Sequence, residues 1–250
     1  MPTFGTIQYD DSGRGDAVLL LPGWAGSAVE FGRLRAELDD GFRVVSADLP
    51  GSGRSGPQPR EYSVDFYAED ARAFLALLDK LGIGAAHLVG FSDGGEVALL
   101  MAGLAPGRAL SVLAWGAAGQ IVEPVNGPSY DELERLIDEP VRELLPLAAY
   151  LAEAYGAANA RTMARSWAGA LRAITAAGGD VSLSRAAGIS CPALLIAGSE
   201  DPFCPPYLVE KLAAQIPSAR FELFEYANHD LHYSSPQRFT NTVVDWLTSH

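Results

Sequence analysis

Cysteine is scarce in these 250 residues: only Cys191 and Cys204 occur. They form no CxxC pair and join no Cys/His cluster with zinc spacing, so neither a disulfide framework nor a structural metal site is expected. Reduced thiols agree with a cytoplasmic setting. Cys204, just after Glu200-Asp201, is placed near any site at that turn, in a packing role. Long apolar runs are also missing. Stretches such as Ala17 to Leu21 and Ala193 to Ala197 are far too short to span a bilayer. The start, Met-Pro-Thr-Phe-Gly, lacks a basic flank and an apolar core, so no signal peptide is expected. Basic residues are few, 18 against 31 acidic, giving a net charge of −13. Such a surface repels phosphate backbones and anionic membranes, which argues against nucleic acid or membrane as partner. It mildly enriches cationic small molecules. Internal repeats and low-complexity linkers are absent too, and oligomeric state is not encoded in any pattern visible here.

What is present is a normal globular balance, 48 % apolar and 20 % charged, in a chain long enough for one large core. Short β-rich runs alternate with longer helical patterns, the signature of βαβ units and a mostly parallel sheet. Strands are expected at Gly5–Tyr9, Ala17–Leu21, Phe42–Ala47, Ala85–Gly90, Ala109–Trp115, Ala193–Gly198 and Ala219–Tyr226. The turn formers Asp11 to Asp16 predict a hairpin between the first two. Helices are expected over Val64–Leu81, Glu96–Leu104 and Pro236–Thr248. Residues 119–185 break the rhythm, with helical periodicity and no strand. Met163, Trp167, Leu171 and Ile174 form an apolar stripe there, and Arg161, Arg165 and Arg172 a solvated face. The whole chain, 1–250, reads as a single domain, with 119–185 a helical lid inserted between two strands.

Gly90-Phe91-Ser92-Asp93-Gly94-Gly95 fits Gly-x-Ser-x-Gly, with a strand before it and a helix after it. That context makes the motif a nucleophile elbow: the glycines permit a tight turn that lifts the serine hydroxyl off the sheet's carboxyl edge. A serine hydroxyl needs a base. Of four histidines, His87 lies inside a strand and His250 is the last residue. His229 and His232 remain, both just after the last strand, at the same edge as Ser92. A third group must hold the imidazole. Glu200 and Asp201 both fit, and Asp201, preceding Pro202, is preferred; the order Ser…Asp…His suits this topology. An oxyanion hole would come from the backbone N–H of Asp93 and that of Trp24, in the loop Leu21 to Gly26 after an earlier strand. Such chemistry calls for no metal and no organic cofactor.

These residues resemble the α/β-hydrolase family over nearly the whole chain. Asp48-Leu49-Pro50-Gly51-Ser52-Gly53-Arg54-Ser55 looks like its Asp-x-x-Gly-x-Gly-x-Ser turn. The resemblance implies a mostly parallel eight-stranded sheet flanked by helices, with an inserted lid. Within the family, Ser92 to Gly95, Gly198 to Pro202 and His229 to His232 look like the elbow, acid turn and histidine segment of the valacyclovir hydrolase (biphenyl hydrolase-like) group. This likeness selects His229 as the base and leaves His232 to packing. One departure stands out: Pro22-Gly23 replaces the His-Gly of many relatives.

Asp93 is odd beside a nucleophile, because its charge opposes a developing oxyanion by roughly 3 kcal/mol at about 6 Å. Either its side chain turns away, as an acid in a first helical turn does, or a cation sits on it. In the valacyclovir hydrolase group the acid after the nucleophile is linked to α-amino recognition, which on Asp93 implies α-amino-acid esters or related amides. The expected function is therefore serine ester or amide hydrolysis through an acyl-enzyme on a small-molecule substrate. The alternatives are C–C bond hydrolysis or acyl transfer on the same triad, or a ligand receptor of the same fold. Epoxide hydrolase or dehalogenase chemistry is disfavoured, because those elbows carry Asp where this one carries Ser92.

Overall fold

In the computed structural model, which describes residues 2–124 and 127–250, the apolar runs become the middle of a sheet. The strands are β1 (Thr3–Phe4), β2 (Ile7–Gly13), β3 (Asp16–Leu21), β4 (Phe42–Ala47), β5 (Ala86–Phe91), β6 (Ala109–Trp115), β7 (Ala193–Gly198) and β8 (Ala219–Phe224). They form one eight-stranded sheet in the order β1-β2-β4-β3-β5-β6-β7-β8. The β1–β2 and β2–β4 pairs are antiparallel and the rest are parallel. Central parallel strands are covered on both faces, which is why they read as continuous apolar runs. Alternation still sorts the faces. Leu19, Leu21, Leu88 and Leu195 face one layer; Val18, Leu20, Val89 and Leu194 face the other.

Helices α1 (Gly32–Leu38), α2 (Phe66–Lys80), α3 (Asp93–Leu104), α4 (Tyr130–Glu134), α5 (Leu145–Tyr155), α6 (Ala157–Ala176), α7 (Pro206–Ala213), α8 (Leu231–Ser234) and α9 (Pro236–Thr248) follow in chain order. Phe74, Leu77 and Leu78 of α2, the buried face of α3, and Leu208 and Leu212 of α7 cover one side. Leu34 and Leu38 of α1, with Phe239, Val243 and Trp246 of α9, cover the other.

The expected hairpin does not form. β4 inserts between β2 and β3, and Asp11 to Gly13, expected as turn, pair with β4 as strand. Asp11 meets Arg43 of β4 at 2.7 Å. The bend comes later, at Gly13 (φ 74°) and Gly15 (φ 111°), both packed against main-chain carbonyls near Phe42. Turn composition marks a reversal, but not whether the returning strand lies beside the first or one place further on. α3 also begins earlier than expected, at Asp93, so the glycine pair is its first turn. Among the described residues three helices, α1, α7 and the short α8, stand where the sequence pattern predicts none.

Between β6 and β7 the chain forms the expected helical insertion, α4 to α6. The range 119–185 also contains Val125 and Asn126, which lie outside the described residues. Met163, Leu171 and Ile174 are buried as the stripe predicts. The arginines differ: Arg161 and Arg165 both pair with Asp138, at 2.7 and 3.1 Å, and Arg172 pairs with Asp131 and Glu134. These are half-exposed contacts worth little each. Attachment to the sheet is made by Tyr155, whose hydroxyl donates to the Ala25 carbonyl (2.6 Å) and accepts from the Gly53 N–H (2.6 Å).

The first turn of α3 packs directly on the end of β3: a Cβ on Gly94 would penetrate the carbonyl oxygens of Leu21 and Pro22. Gly94→Ala should therefore lower unfolding free energy by about 2–3 kcal/mol through overpacking. A urea titration checks this, the expected result being a lower midpoint with an unchanged slope.

Candidate active site

Ser92 sits at the junction of β5 and α3 with φ 51° and ψ −119°, a conformation non-glycine residues avoid. Its N–H is held by the Trp115 carbonyl of β6 (2.8 Å), and its carbonyl accepts the first helical bond, from Glu96 (3.0 Å). Gly90 cannot carry a Cβ because the Gly94 carbonyl lies against it. These contacts fix where the hydroxyl points.

His229 Nε2 lies 3.0 Å from Ser92 Oγ, and its Nδ1 lies 2.8 Å from Asp201 Oδ2. The buried Asp201 is oriented in turn: its Oδ1 accepts the N–H groups of Phe203 and Cys204, each at 2.8 Å. Glu200 is exposed and makes no such approach. Gly116, after β6, leaves room for the imidazole; a Cβ there would lie 2.8 Å from His229 Cε1. Ser92, Asp201 and His229 are thus brought together from β5, β7 and β8, three different strand ends. The other histidines lie apart from this relay. His232 is buried behind Phe91, its Nδ1 accepting from Trp115 Nε1 (3.2 Å). His87 bonds Ser111 (2.8 Å), and His250 packs on Trp246.

The loop after β3 lies against the elbow. A Cβ on Gly23 would come within 3.4 Å of Ser92 Cβ, which puts the Trp24 main chain beside the serine. The Asp48–Ser55 turn buttresses that loop from behind. Asp48 Oδ1 accepts the Ala28 N–H (2.7 Å), Asp48 Oδ2 accepts the Arg54 N–H (2.7 Å), and Ser52 Oγ accepts the Ala25 N–H (3.0 Å).

Asp93 turns its carboxyl onto Tyr67 and Trp167 and lines the cleft. Its Oδ1 accepts from the Tyr67 hydroxyl (2.7 Å) and its Oδ2 from Trp167 Nε1 (2.9 Å). Burial pushes its carboxyl up to about 6, against the two hydrogen bonds that favour the ion. Three residues on, Glu96 is also buried, and burial pushes it up to about 7. Its Oε1 accepts the N–H groups of Ala118 (2.8 Å) and Gly119 (2.9 Å), and its Oε2 accepts from Ser182 Oγ (3.3 Å). Glu96 thereby anchors the start of the helical insertion. The signal for it in the sequence is an acid at the head of the apolar helical run Val97 to Met101. Tyr67 carried no local signal at all.

Ser92, Asp93 and His229 open into a cleft of about 1290 Å³ between the sheet edge and the insertion. Its described lining includes six carboxylates, Glu30, Asp93, Glu96, Glu132, Glu143 and Asp230, and neither Lys nor Arg.

An elbow serine at the carboxyl edge of such a sheet, with a helical insertion over it, defines the α/β hydrolase fold. The chain belongs to the alpha/beta hydrolase family, whose model matches residues 18–242. It is similar to human serine hydrolase BPHL, 29 % identical over 245 residues covering 96 % of this chain and 82 % of that protein. It is also similar to 2-hydroxy-6-oxo-6-phenylhexa-2,4-dienoate hydrolase of Comamonas testosteroni, 28 % identical and covering 96 % and 91 %. Among solved structures, the enol-lactonase of Burkholderia xenovorans LB400 shares the fold with a TM-score of 0.77 at 24 % identity, covering 97 % and 96 % of the two chains.

No helix among the described residues is long and apolar enough to cross a membrane.

The raised carboxyl of Glu96 makes a linkage prediction. A folded value near 7 against an unfolded value near 4.5 means the native state holds its proton longer. Glu96 therefore costs stability as pH rises from about 4.5 through 7. Glu96→Gln keeps an acceptor for Ala118 and Gly119, so relative to the parent it should gain a few kcal/mol of unfolding free energy between pH 5 and 7.5. Paired urea titrations at the two pH values measure the difference.

Proposed function

We propose that the protein is a serine hydrolase that cleaves carboxylic esters or amides through an acyl-enzyme and prefers substrates bearing an α-ammonium group. The observation that carries this reading is a hydrogen-bonded Ser92–His229–Asp201 relay opening into a cleft with carboxylates and no cationic lysine or arginine among its described lining.

In this scheme the substrate carbonyl oxygen lies toward the backbone N–H groups of Trp24 and Asp93. Ser92 Oγ attacks the carbonyl carbon while His229 Nε2 takes its proton. Asp201 holds the Nδ1–H tautomer and stabilises the imidazolium. His229 then gives the proton to the departing alcohol or amine as the tetrahedral intermediate collapses to the acyl-enzyme. Water, losing a proton to His229, attacks that ester; collapse returns the proton to Ser92 Oγ and releases the acid.

Asp93 is the candidate ammonium anchor. Its two partners are neutral donors, while the nearby Arg60 is engaged with Asp70 at 2.7 Å. A buried carboxylate lacking its own counter-ion is costly, and a substrate ammonium would supply one. The same chemistry weighs against C–C hydrolysis of dienoates. Those substrates are anions, and the cleft repels them. Acyl transfer would use the same relay and differs only in the acceptor that replaces water.

Ser92→Ala should fold as the parent does and lose hydrolysis of any ester the parent cleaves; retained turnover would sink the scheme. Asp201→Asn should lower kcat on the order of 10⁴-fold, since it fixes the wrong tautomer. For a matched pair, an α-amino-acid ester and its des-amino analogue, the parent should favour the amino ester in kcat/KM by about 10–100-fold. That is the range of one charge-assisted hydrogen bond. Asp93→Asn should bring the ratio near one.

A further inference from the structure

The anchor carboxylate is not held by the sheet domain alone. One of its two donors, Trp167, belongs to α6 of the insertion, and the other, Tyr67, to α2. The Trp167 indole does two things at once. Its Nε1 donates to Asp93 Oδ2 at 2.9 Å, and its ring stacks on Trp24, with centroids 4.3 Å apart and planes 11° from parallel. Trp24 lies in the loop beside Ser92, and both indoles line the cleft. Ser166, the preceding residue, ties the same turn of α6 down by accepting the Tyr62 N–H (2.8 Å). Two polar atoms in this corner, Trp24 Nε1 and the Tyr62 hydroxyl, are buried with no hydrogen-bond partner among the described residues.

We propose that Trp167 is a positioning residue for substrate specificity: through its N–H it keeps Asp93 ionised and aimed into the cleft, so docking of α6 creates the anion that recognises a substrate ammonium. This rests on the reading of Asp93 as the ammonium anchor. The physical logic is that a carboxylate taken out of water stays charged only where donors replace the water. Asp93 has two such donors, and removing one shifts the balance toward the neutral acid, which cannot pair with an ammonium. Other titratable groups facing Asp93 are Glu96 one turn along α3, Asp70 and the Tyr67 hydroxyl of α2, Arg60, the Tyr62 hydroxyl and His229. Glu96 and Asp70 oppose its ionisation, Arg60 and His229 favour it, and none of them belongs to α6. Trp167 is thus the one Asp93 donor that the insertion contributes.

Trp167→Phe tests this, because phenylalanine keeps an aromatic ring for Trp24 and lacks only the donor. The quantity to follow is the ratio of kcat/KM for the α-amino-acid ester to that for its des-amino analogue, against pH. In that ratio the pH dependence of the chemical step, common to both substrates, cancels. In the parent the ratio should fall as pH drops through about 6, where Asp93 takes up its proton. In Trp167→Phe the midpoint should rise by roughly one pH unit, so the ratio should drop about twofold at pH 7 and about fivefold at pH 6. Hydrolysis of the des-amino ester is the reference, so that any loss common to both esters drops out of the ratio. A ¹³C titration of the Asp93 carboxyl in the ligand-free proteins gives the same shift without reference to turnover.

The possible failures separate. A parent ratio near one at every pH removes the ammonium reading of Asp93, and the role of Trp167 with it. A parent preference that Trp167→Phe leaves unchanged in size and midpoint keeps Asp93 as anchor and overturns the positioning role. Equal loss on both esters, with an unshifted Asp93 titration, also overturns it, since Trp167 would then act only by packing on Trp24.

Discussion

The site depends on one close approach, that of the first turn of α3 to the carboxyl ends of β3 and β5. Gly90 and Gly94 let backbone meet backbone where any side chain would intrude. That contact holds Ser92 at a positive φ, points its hydroxyl out of the sheet, and brings the loop carrying Trp24 beside it. Strain of this kind survives only where surrounding structure over-determines it. Here the Trp115 carbonyl, the Glu96 N–H and the buttress built on Asp48 and Ser52 all act on the same few residues. The main chain at this end of the sheet is held from several sides at once.

Charge is arranged with a different logic. The elbow helix buries Asp93 and Glu96 within one turn, and each is satisfied by neutral donors. Glu96 spends its oxygens on the strand-to-insertion junction and so acts in the architecture. Asp93 spends its oxygens on two aromatic donors at the cleft wall and still faces the substrate space. Two carboxyl groups three positions apart are thereby divided between the junction with the insertion and the wall of the cleft. The outer acids Glu30, Glu132, Glu143 and Asp230 extend the negative lining, in keeping with a net charge of −13.

Much of this was legible in the chain itself. Gly90 to Gly95 could only make a tight strand-to-helix turn, and the short list of histidines narrowed the base to a single segment. Ala109–Trp115, Ala193–Gly198 and Pro236–Thr248 were bounded correctly because a buried strand and an amphipathic helix announce their period. The hairpin expectation over Asp11 to Asp16 failed because local turn chemistry carries no information about which strand returns alongside. Helices α1 and α7 were missed, each only seven or eight residues long. A repeat that short gives periodicity too few turns to register.

The fold class, the elbow at Ser92 and the acidity of the surface could be read from the chain alone, since each follows from local period, local turn geometry or composition. Only the tertiary structure decided which oxygen meets which proton. It chose Asp201 over Glu200, and it turned Asp93 onto Tyr67 and Trp167, residues 26 and 74 positions away along the chain. Such contacts are set by how layers stack, and a donor's distance in sequence says nothing about its distance in space.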